Sequence, residues 1–82
     1  MRVRVLYFAG VRDAIGRGEE SIELPADVAT VGDFARFVAR EHAAIADRMG
    51  TIRVARNEAF ADPADPIADG DTLALIPPVA GG

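Results

Sequence analysis

The sequence predicts a small α+β domain, with a mixed sheet of about five strands crossed by one main helix. Short segments of alternating apolar and polar residues lie on both sides of a single long stretch with helical periodicity. The length of 82 residues allows one domain. Half of the residues are hydrophobic, which is enough for a packed core and argues against disorder.

The N-terminal part has the pattern of two strands. Residues 2–8 alternate as a strand does. One face would carry Val3, Val5 and Tyr7, and the other Arg2, Arg4, Leu6 and Phe8. Residues 9–15 are ambiguous and fit a short helical turn, which the glycines of residues 16–18 break. A second strand is expected at residues 21–24, and Pro25 ends it.

The main helix is expected to begin after Thr30, with Asp33 completing an imperfect capping box. The apolar residues that follow have the spacing of one helical stripe facing the core: Val31, Phe34, Ala35 and Val38. The helical pattern persists through Glu41 and extends at most to Met49, because Gly50 is a typical stop signal.

The C-terminal half has three more strand-like segments, expected at residues 52–55, 59–60 and 72–76. Asn57 and Glu58 have the character of a tight turn between the first two of these strands. Two hairpin-like halves joined by a helix are typical of the β-grasp, ubiquitin-like fold. Periodicity alone leaves other small α+β arrangements open.

Charge and residue content exclude several classes of function. The net charge of −4 argues against nucleic-acid binding, which needs many Lys and Arg contacts to phosphates, and favours a partner with a basic docking surface. The chain has no cysteine, which excludes disulfides and thiolate sites and fits a cytoplasmic location. No segment has the apolar length of a membrane span, and the N-terminus lacks the pattern of a signal peptide.

No side-chain pattern predicts a metal site or a nucleophile. The aspartates of residues 62–71 lack the spacing of an EF-hand loop. His42 is the only histidine and lies near the end of the helix, where packing or complementing the helix dipole is favoured over metal binding. Ser21 and Thr72 have no base in a recognisable arrangement. We therefore expect no tightly bound cofactor and no metal ligand.

The C-terminal sequence PPVAGG is the most informative segment. Pro77 and Pro78 follow the last apolar strand and favour an extended polyproline geometry. Residues 77–82 are therefore expected to project as a tail from a domain that spans residues 1–76.

The last four residues suit entry into the active site of another protein. Val79 and Ala80 are small, and Gly81 and Gly82 have no Cβ to crowd the final carbonyl. A free α-carboxylate is a poor electrophile at neutral pH. Activation of Gly82 as an acyl-adenylate with ATP, followed by exchange for sulfur, would give a thiocarboxylate. The absence of lysine fits this chemistry, because an activated terminus would meet no side-chain amine of its own chain.

The tail and three further motifs together resemble a known family. They are PPVAGG, FAGVRDAIG at residues 8–16, Asn57, and the Asp69-Gly70-Asp71 segment. With these motifs the chain resembles the MoaD branch of the MoaD/ThiS sulfur carriers, which includes the small subunit of molybdopterin synthase. The resemblance covers the full length, and the tail is its most specific part.

The resemblance implies a β-grasp domain that carries sulfur without being catalytic on its own. Gly82 would be adenylated by an activating enzyme of the MoeB type, which uses ATP, and then converted to a thiocarboxylate. The tail would enter the large catalytic subunit of molybdopterin synthase, of the MoaE type. There the sulfur would pass to a cyclic pyranopterin precursor during molybdenum cofactor synthesis.

A partner interface is expected on the sheet face that the helix leaves uncovered. In a β-grasp fold the first and last strands are neighbours, so four apolar residues would share this face: Leu6, Phe8, Ala74 and Ile76. Arg12 could form its rim. By resemblance this is where the large subunit docks. The family often has aromatic residues before the prolines, whereas this chain has Leu75 and Ile76.

Three other functions remain open at this point. The same carrier chemistry could serve thiamine, cysteine or tRNA thiolation, although the double proline favours molybdopterin synthase. An activated Gly82 could instead be joined to target lysines, as in a ubiquitin-like modifier. The last alternative is a β-grasp binding module with an inert tail.

Overall fold

The computed structural model describes residues 1–78, which form a five-stranded mixed sheet and two α-helices. The strands are β1 (Arg2–Tyr7), β2 (Glu19–Glu23), β3 (Arg53–Arg56), β4 (Ala59–Phe60) and β5 (Thr72–Ile76). The helices are α1 (Ala9–Ile15) and α2 (Val31–Glu41), and a 3₁₀ helix spans Ala43–Arg48. Within residues 1–78, no helix has both the length and the apolar character to cross a membrane.

The sheet has the strand order β2-β1-β5-β3-β4. The central strands β1 and β5 are parallel, and the other pairs are antiparallel. The predicted α+β class, with a mixed sheet and neighbouring first and last strands, is confirmed. This topology brings the residues that precede the tail to the centre of the sheet.

The core lies between α2 and one face of the sheet. Alternation in β1 buries Val3, Val5 and Tyr7, as predicted, and β5 contributes Leu73 and Leu75. From α2 the buried residues are Val31, Phe34, Phe37 and Val38. Ala35, which the sequence pattern assigns to the core, is only partly buried, whereas Phe37, which that pattern leaves out, is buried.

The start of helix α2 agrees with the prediction. The helix does not extend to Met49. Thr30 Oγ1 accepts a hydrogen bond from the backbone N–H of Asp33, and the Asp33 carboxylate accepts one from the backbone N–H of Thr30. The helix ends at Glu41 because His42, with φ −127° and ψ 83°, leaves the helical conformation. The following 3₁₀ helix turns Ile45 fully into the core.

The N-terminal elements agree with the short helical turn expected at residues 9–15 and differ from the sequence pattern at two strand boundaries. The ambiguous residues 9–15 form the helix α1, which Gly16 closes with φ 89° and a hydrogen bond to the Arg12 carbonyl. Strand β1 ends at Tyr7, so Phe8 is the N-cap of α1 and not a strand residue. Strand β2 begins at Glu19 rather than residue 21, because its register with β1 pairs Leu6 with Glu19.

Candidate partner interface and tail base

A row of apolar residues crosses the sheet face opposite α2. The register pairs Leu6 with Ala74, Ala74 with Ala55, and Ala55 with Phe60, so the row spans four adjacent strands. The two alanines are small, and the row therefore forms a shallow depression of about 310 Å³, here called the outer depression. Its lining is completed by Phe8, Glu58, Thr72 and Ile76.

A second concavity lies at the end of β5, where the tail leaves the domain. This tail-base cleft has a volume of about 660 Å³. Phe8 and Ile76 line both concavities and so join them. The remaining lining comes from Pro77, Pro78, Ile52 and Thr51, from residues 9–11 of α1, and from Arg48.

The turn from β1 into α1 holds Phe8 at this junction. Ala9 has φ 48°, in the left-handed region that a residue with a Cβ seldom adopts. Phe8 itself is extended and leaves 45% of its surface exposed. A large exposed phenylalanine presented by a strained turn points to a contact with another molecule rather than to a role in the core.

Two arginines lie close to the exposed aromatic rings. Arg12 lines a groove with Phe8 and Glu19, and a Cβ built on Gly18 would lie 3.4 Å from Arg12 Nε. The Arg12 side chain therefore lies beside Gly18. The Arg53 guanidinium lies over the Phe60 ring, 3.8 Å from its centroid, in a cation–π contact.

The residues predicted for the interface are therefore neighbours in space. Leu6, Ala74 and Ile76 share the outer face, Phe8 reaches it from the α1 turn, and Arg12 lies at its edge. Sequence reasoning missed three contributors on β3 and β4: Arg53, Ala55 and Phe60. The two-residue strand β4 is too short for alternation to show which way its side chains face.

An ion pair and an amide brace the β3–β4 turn against β5. Asp71 is buried, and its carboxylate accepts hydrogen bonds from Arg56 Nε at 2.6 Å, Asn57 Nδ2 at 2.9 Å and the Ala68 backbone N–H at 2.8 Å. Burial raises the pKa of Asp71, but these hydrogen bonds outweigh it and hold the pKa below its usual value. Asn57 also accepts from the Thr72 backbone N–H at 2.9 Å.

Two of the motifs that carried the resemblance thus meet in one network. Asn57 and Glu58 both have positive φ, as expected for a tight hairpin turn, and Asn57 tolerates this conformation well. The network fixes β3 and β4 relative to β5 and so keeps Phe60 in line with Ala74.

The part of the outer face nearest β2 is polar. Arg4 Nε lies 2.7 Å from the Glu19 carboxylate, and Arg2 contacts both Ser21 and Glu23. These exposed pairs contribute little stability. They mark one edge of the apolar row, so that a docking partner would bury the part of the face formed by β1, β5, β3 and β4.

A polar cluster joins β1, β2 and the end of α2 on the other face. Tyr7 Oη donates to Glu20 Oε2, and His42 Nε2 lies 3.1 Å from the same oxygen. Burial and the hydrogen bond to Glu20 raise the pKa of Tyr7. Burial raises the pKa of Glu20, but the Tyr7 and His42 hydrogen bonds hold it below its usual value. The predicted packing role of His42 at the helix end agrees with its position as C-cap of α2.

The tail is described only at its base. Pro77 and Pro78 line the tail-base cleft, whereas the predicted tail residues Val79, Ala80, Gly81 and Gly82 lie outside the described residues. Among residues 1–78, no group of three or more His, Cys, Asp or Glu side chains is arranged to hold a metal ion.

The strand order, the helix position and the apolar outer face together define a ubiquitin-like β-grasp protein. A ubiquitin from Caldiarchaeum subterraneum superposes with a TM-score of 0.63 at 19% identity, covering 100% of this chain and 98% of that chain, which shows the fold alone. The family is more specific: the chain belongs to the ThiS family, whose model matches residues 5–82.

Relatives match over the whole chain. It is 38% identical to the molybdopterin synthase sulfur carrier subunit of Chlamydomonas reinhardtii, covering 100% of both chains. It is 34% identical to the subunit of the same name from Escherichia coli (strain K12), covering 98% of this chain and 99% of the relative.

Solved structures agree with this assignment. SAMP1 from Haloferax volcanii has a TM-score of 0.86 and 31% identity, covering 100% of both chains. The complex of subunits 1 and 2 of the molybdopterin-converting factor from Helicobacter pylori 26695 contains a chain with a TM-score of 0.71 and 26% identity, also covering 100% of both chains.

Proposed function

We propose that this protein is the sulfur-carrier subunit of molybdopterin synthase and that Gly82 carries the sulfur. The main structural support is the continuity of the outer depression with the tail-base cleft through Phe8 and Ile76. A partner that covers the apolar face therefore also lies over the point from which the tail departs. The full-length similarity to subunits of that name supports the same proposal.

The chemistry at Gly82 has two steps before sulfur delivery. An activating enzyme of the MoeB type joins the α-carboxylate to the AMP of ATP and releases pyrophosphate. Sulfide supplied by the sulfur donor then displaces AMP and leaves a thiocarboxylate. In the large catalytic subunit, of the MoaE type, the thiocarboxylate sulfur replaces a carbon-bound oxygen of the cyclic pyranopterin precursor. Water then hydrolyses the resulting thioester, which leaves the sulfur on the pterin and returns Gly82 to the carboxylate.

The residues of this chain position the tail in that scheme. Leu6, Phe8, Ala74, Ile76 and Phe60 offer the apolar surface that the large subunit buries, with Arg12 at the rim. The two prolines stiffen the departure of the tail from β5. The side chains that act on the pterin belong to the large subunit.

Intact-mass measurement tests the carrier chemistry directly. The purified protein is incubated with the host's activating enzyme, ATP and a sulfur donor. We expect one terminal oxygen to be replaced by sulfur in the wild-type protein and no change in a variant that lacks Gly82. An unchanged wild-type mass, with the activating enzyme active on a known carrier, would refute the proposal.

A second candidate function is protein modification. The similarity to SAMP1 favours it, because a 29% identical structure from Haloferax volcanii is named small archaeal modifier protein 1. In that case Gly82 would form isopeptide bonds with lysines of target proteins. Mass spectrometry of proteins linked to the tagged chain distinguishes this outcome, since a dedicated sulfur carrier yields no such adducts. The chain itself has no lysine on which to build a lysine-linked polymer.

A further inference from the structure

The arginines of the chain fall into two groups. Five of the nine lie within 4 Å of a carboxylate in the chain: Arg2, Arg4, Arg17, Arg36 and Arg56. Within residues 1–78, the other four have no such carboxylate: Arg12, Arg40, Arg48 and Arg53. Arg48 lines the tail-base cleft, Arg12 lines the groove beside Phe8, and Arg53 lies over the Phe60 ring, which lines the outer depression. Arg40 lies elsewhere, on α2.

Arg48 and Arg53 are both exposed and lie beside apolar residues. Arg48 ends the 3₁₀ helix and lines the tail-base cleft, with one guanidinium nitrogen 3.8 Å from the place of a Cβ on Gly10. Arg53 pairs in register with Ile76 and stacks on Phe60. Each cation is thus exposed beside apolar surface that a partner would bury.

We propose that Arg48 and Arg53 select and orient the large subunit by pairing with carboxylates that border its own apolar docking surface. This inference rests on the proposed function and identifies the chemistry of the partner surface. The apolar row supplies the buried centre of the interface. Arg48 shares the tail-base cleft with Ile76, and Arg53 is the register partner of Ile76. Their charges therefore pair with acidic groups of the partner only when those groups lie near the tail base.

The local charge differs in sign from the charge of the whole molecule. The net charge of −4 favours a basic partner, whereas the surface at the tail base is cationic. At the opposite side of the outer depression, Glu58 is its one acidic lining residue among those described. A partner with a carboxylate toward Arg53 and a cation toward Glu58 would bind in one orientation, and the reversed orientation would place like charges together.

Association kinetics with the host's large synthase subunit test this proposal. The variants are Arg48→Glu and Arg53→Glu, and Arg40→Glu is the control because it changes the net charge equally, away from the tail base. At low ionic strength we expect the association rate constant to fall about tenfold for each test variant and less than about twofold for the control. At about 1 M salt, where charges are screened within about 3 Å, the three variants should converge.

The salt dependence separates the charge effect from lost packing on Phe60. Removal of an apolar contact acts mainly on dissociation and would persist at high salt. Equal association rates for the two test variants and Arg40→Glu would overturn the inference, as would slower adenylation with unchanged binding to the large subunit. If the wild-type protein does not bind the large subunit at all, the interface and this inference both fail, whereas the mass of Gly82 still reports separately on carrier chemistry.

Discussion

The side-chain amide of Asn57 donates a 2.9 Å hydrogen bond to the buried carboxylate of Asp71. Residues on the β3–β4 turn and at the start of β5 are thereby held together, although 14 positions separate them. The same carboxylate pairs with Arg56. The alignment of Phe60 with the centre of the sheet therefore depends on a polar network beside the apolar row.

Asp71→Asn should destabilise the fold by about 1–3 kcal/mol at pH 7, because Arg56 loses its charged partner and the Ala68 N–H loses an ionised acceptor. The pKa of Asp71 is lowered in the folded state. Its contribution is therefore present above the unfolded pKa, about 3.9, and is lost as the pH falls through the folded pKa. Urea unfolding at several pH values measures this difference.

Asp13→Asn is the matched control for that substitution. Because Asp13 is exposed on α1, this substitution should change the free energy of unfolding of the protein by less than about 0.5 kcal/mol. If Asp71→Asn is as stable as Asp13→Asn at pH 7, or if its deficit does not shrink in acid, the bracing role assigned to Asp71 is wrong.

Thr30→Ala should lower the free energy of unfolding by about 1 kcal/mol, because the Asp33 N–H at the start of α2 loses its capping acceptor. Thr51→Ala is a suitable comparison, since the Thr51 hydroxyl donates to a carbonyl at an exposed site and caps no α-helix. Chemical denaturation of both variants measures the contrast. Equal losses of unfolding free energy would mean that the capping hydrogen bond of Thr30 stabilises the fold no more than the exposed hydrogen bond of Thr51.

Phe60→Ala should weaken binding to the large subunit about 10- to 100-fold, because an exposed aromatic ring at the edge of an apolar patch is a typical binding hot spot. The fold should lose less than about 1 kcal/mol, mostly the contact with Arg53. Titration calorimetry measures the affinity. Ser21→Ala, on the polar part of the same face, should bind like the wild type, and a similar loss in both variants would exclude the proposed orientation of the interface.

The sequence predicts the elements of the fold better than the details of the interface. Alternation identifies the buried face of β1, and the Thr30–Asp33 pair marks the start of α2, since both signals are local. The position of Phe60 depends on the pairing of β3 with β5, which brings Ala55 beside Ala74. That pairing is set by long-range packing and by the Asp71 network, so no local pattern reveals it.

The end of α2 shows the same limit. Continuous helical periodicity through Met49 hides the break at His42, whose ring lies 5.9 Å from that of Tyr7 in an edge-on contact. His42 also contacts Glu20, which is 22 positions away in sequence, so no local pattern marks this helix end. The apolar character of the candidate interface follows from alternation, whereas the arginines around the tail base become apparent only when their ion-pair partners are known.

Tyr7 should resist ionisation in alkaline solution, because burial and the hydrogen bond to Glu20 raise its pKa. A tyrosine whose pKa is raised on folding adds stability below its unfolded pKa of about 10, and this stability is lost as the pH rises through the folded pKa. Tyr7 is the only tyrosine and the chain has no tryptophan, so phenolate absorbance reports on this residue alone. Glu20→Gln should lower the pKa only partly, since burial remains, and the unfolded chain in denaturant should titrate normally. Phenolate formation near pH 10 in a protein that circular dichroism shows to be folded would contradict the buried cluster.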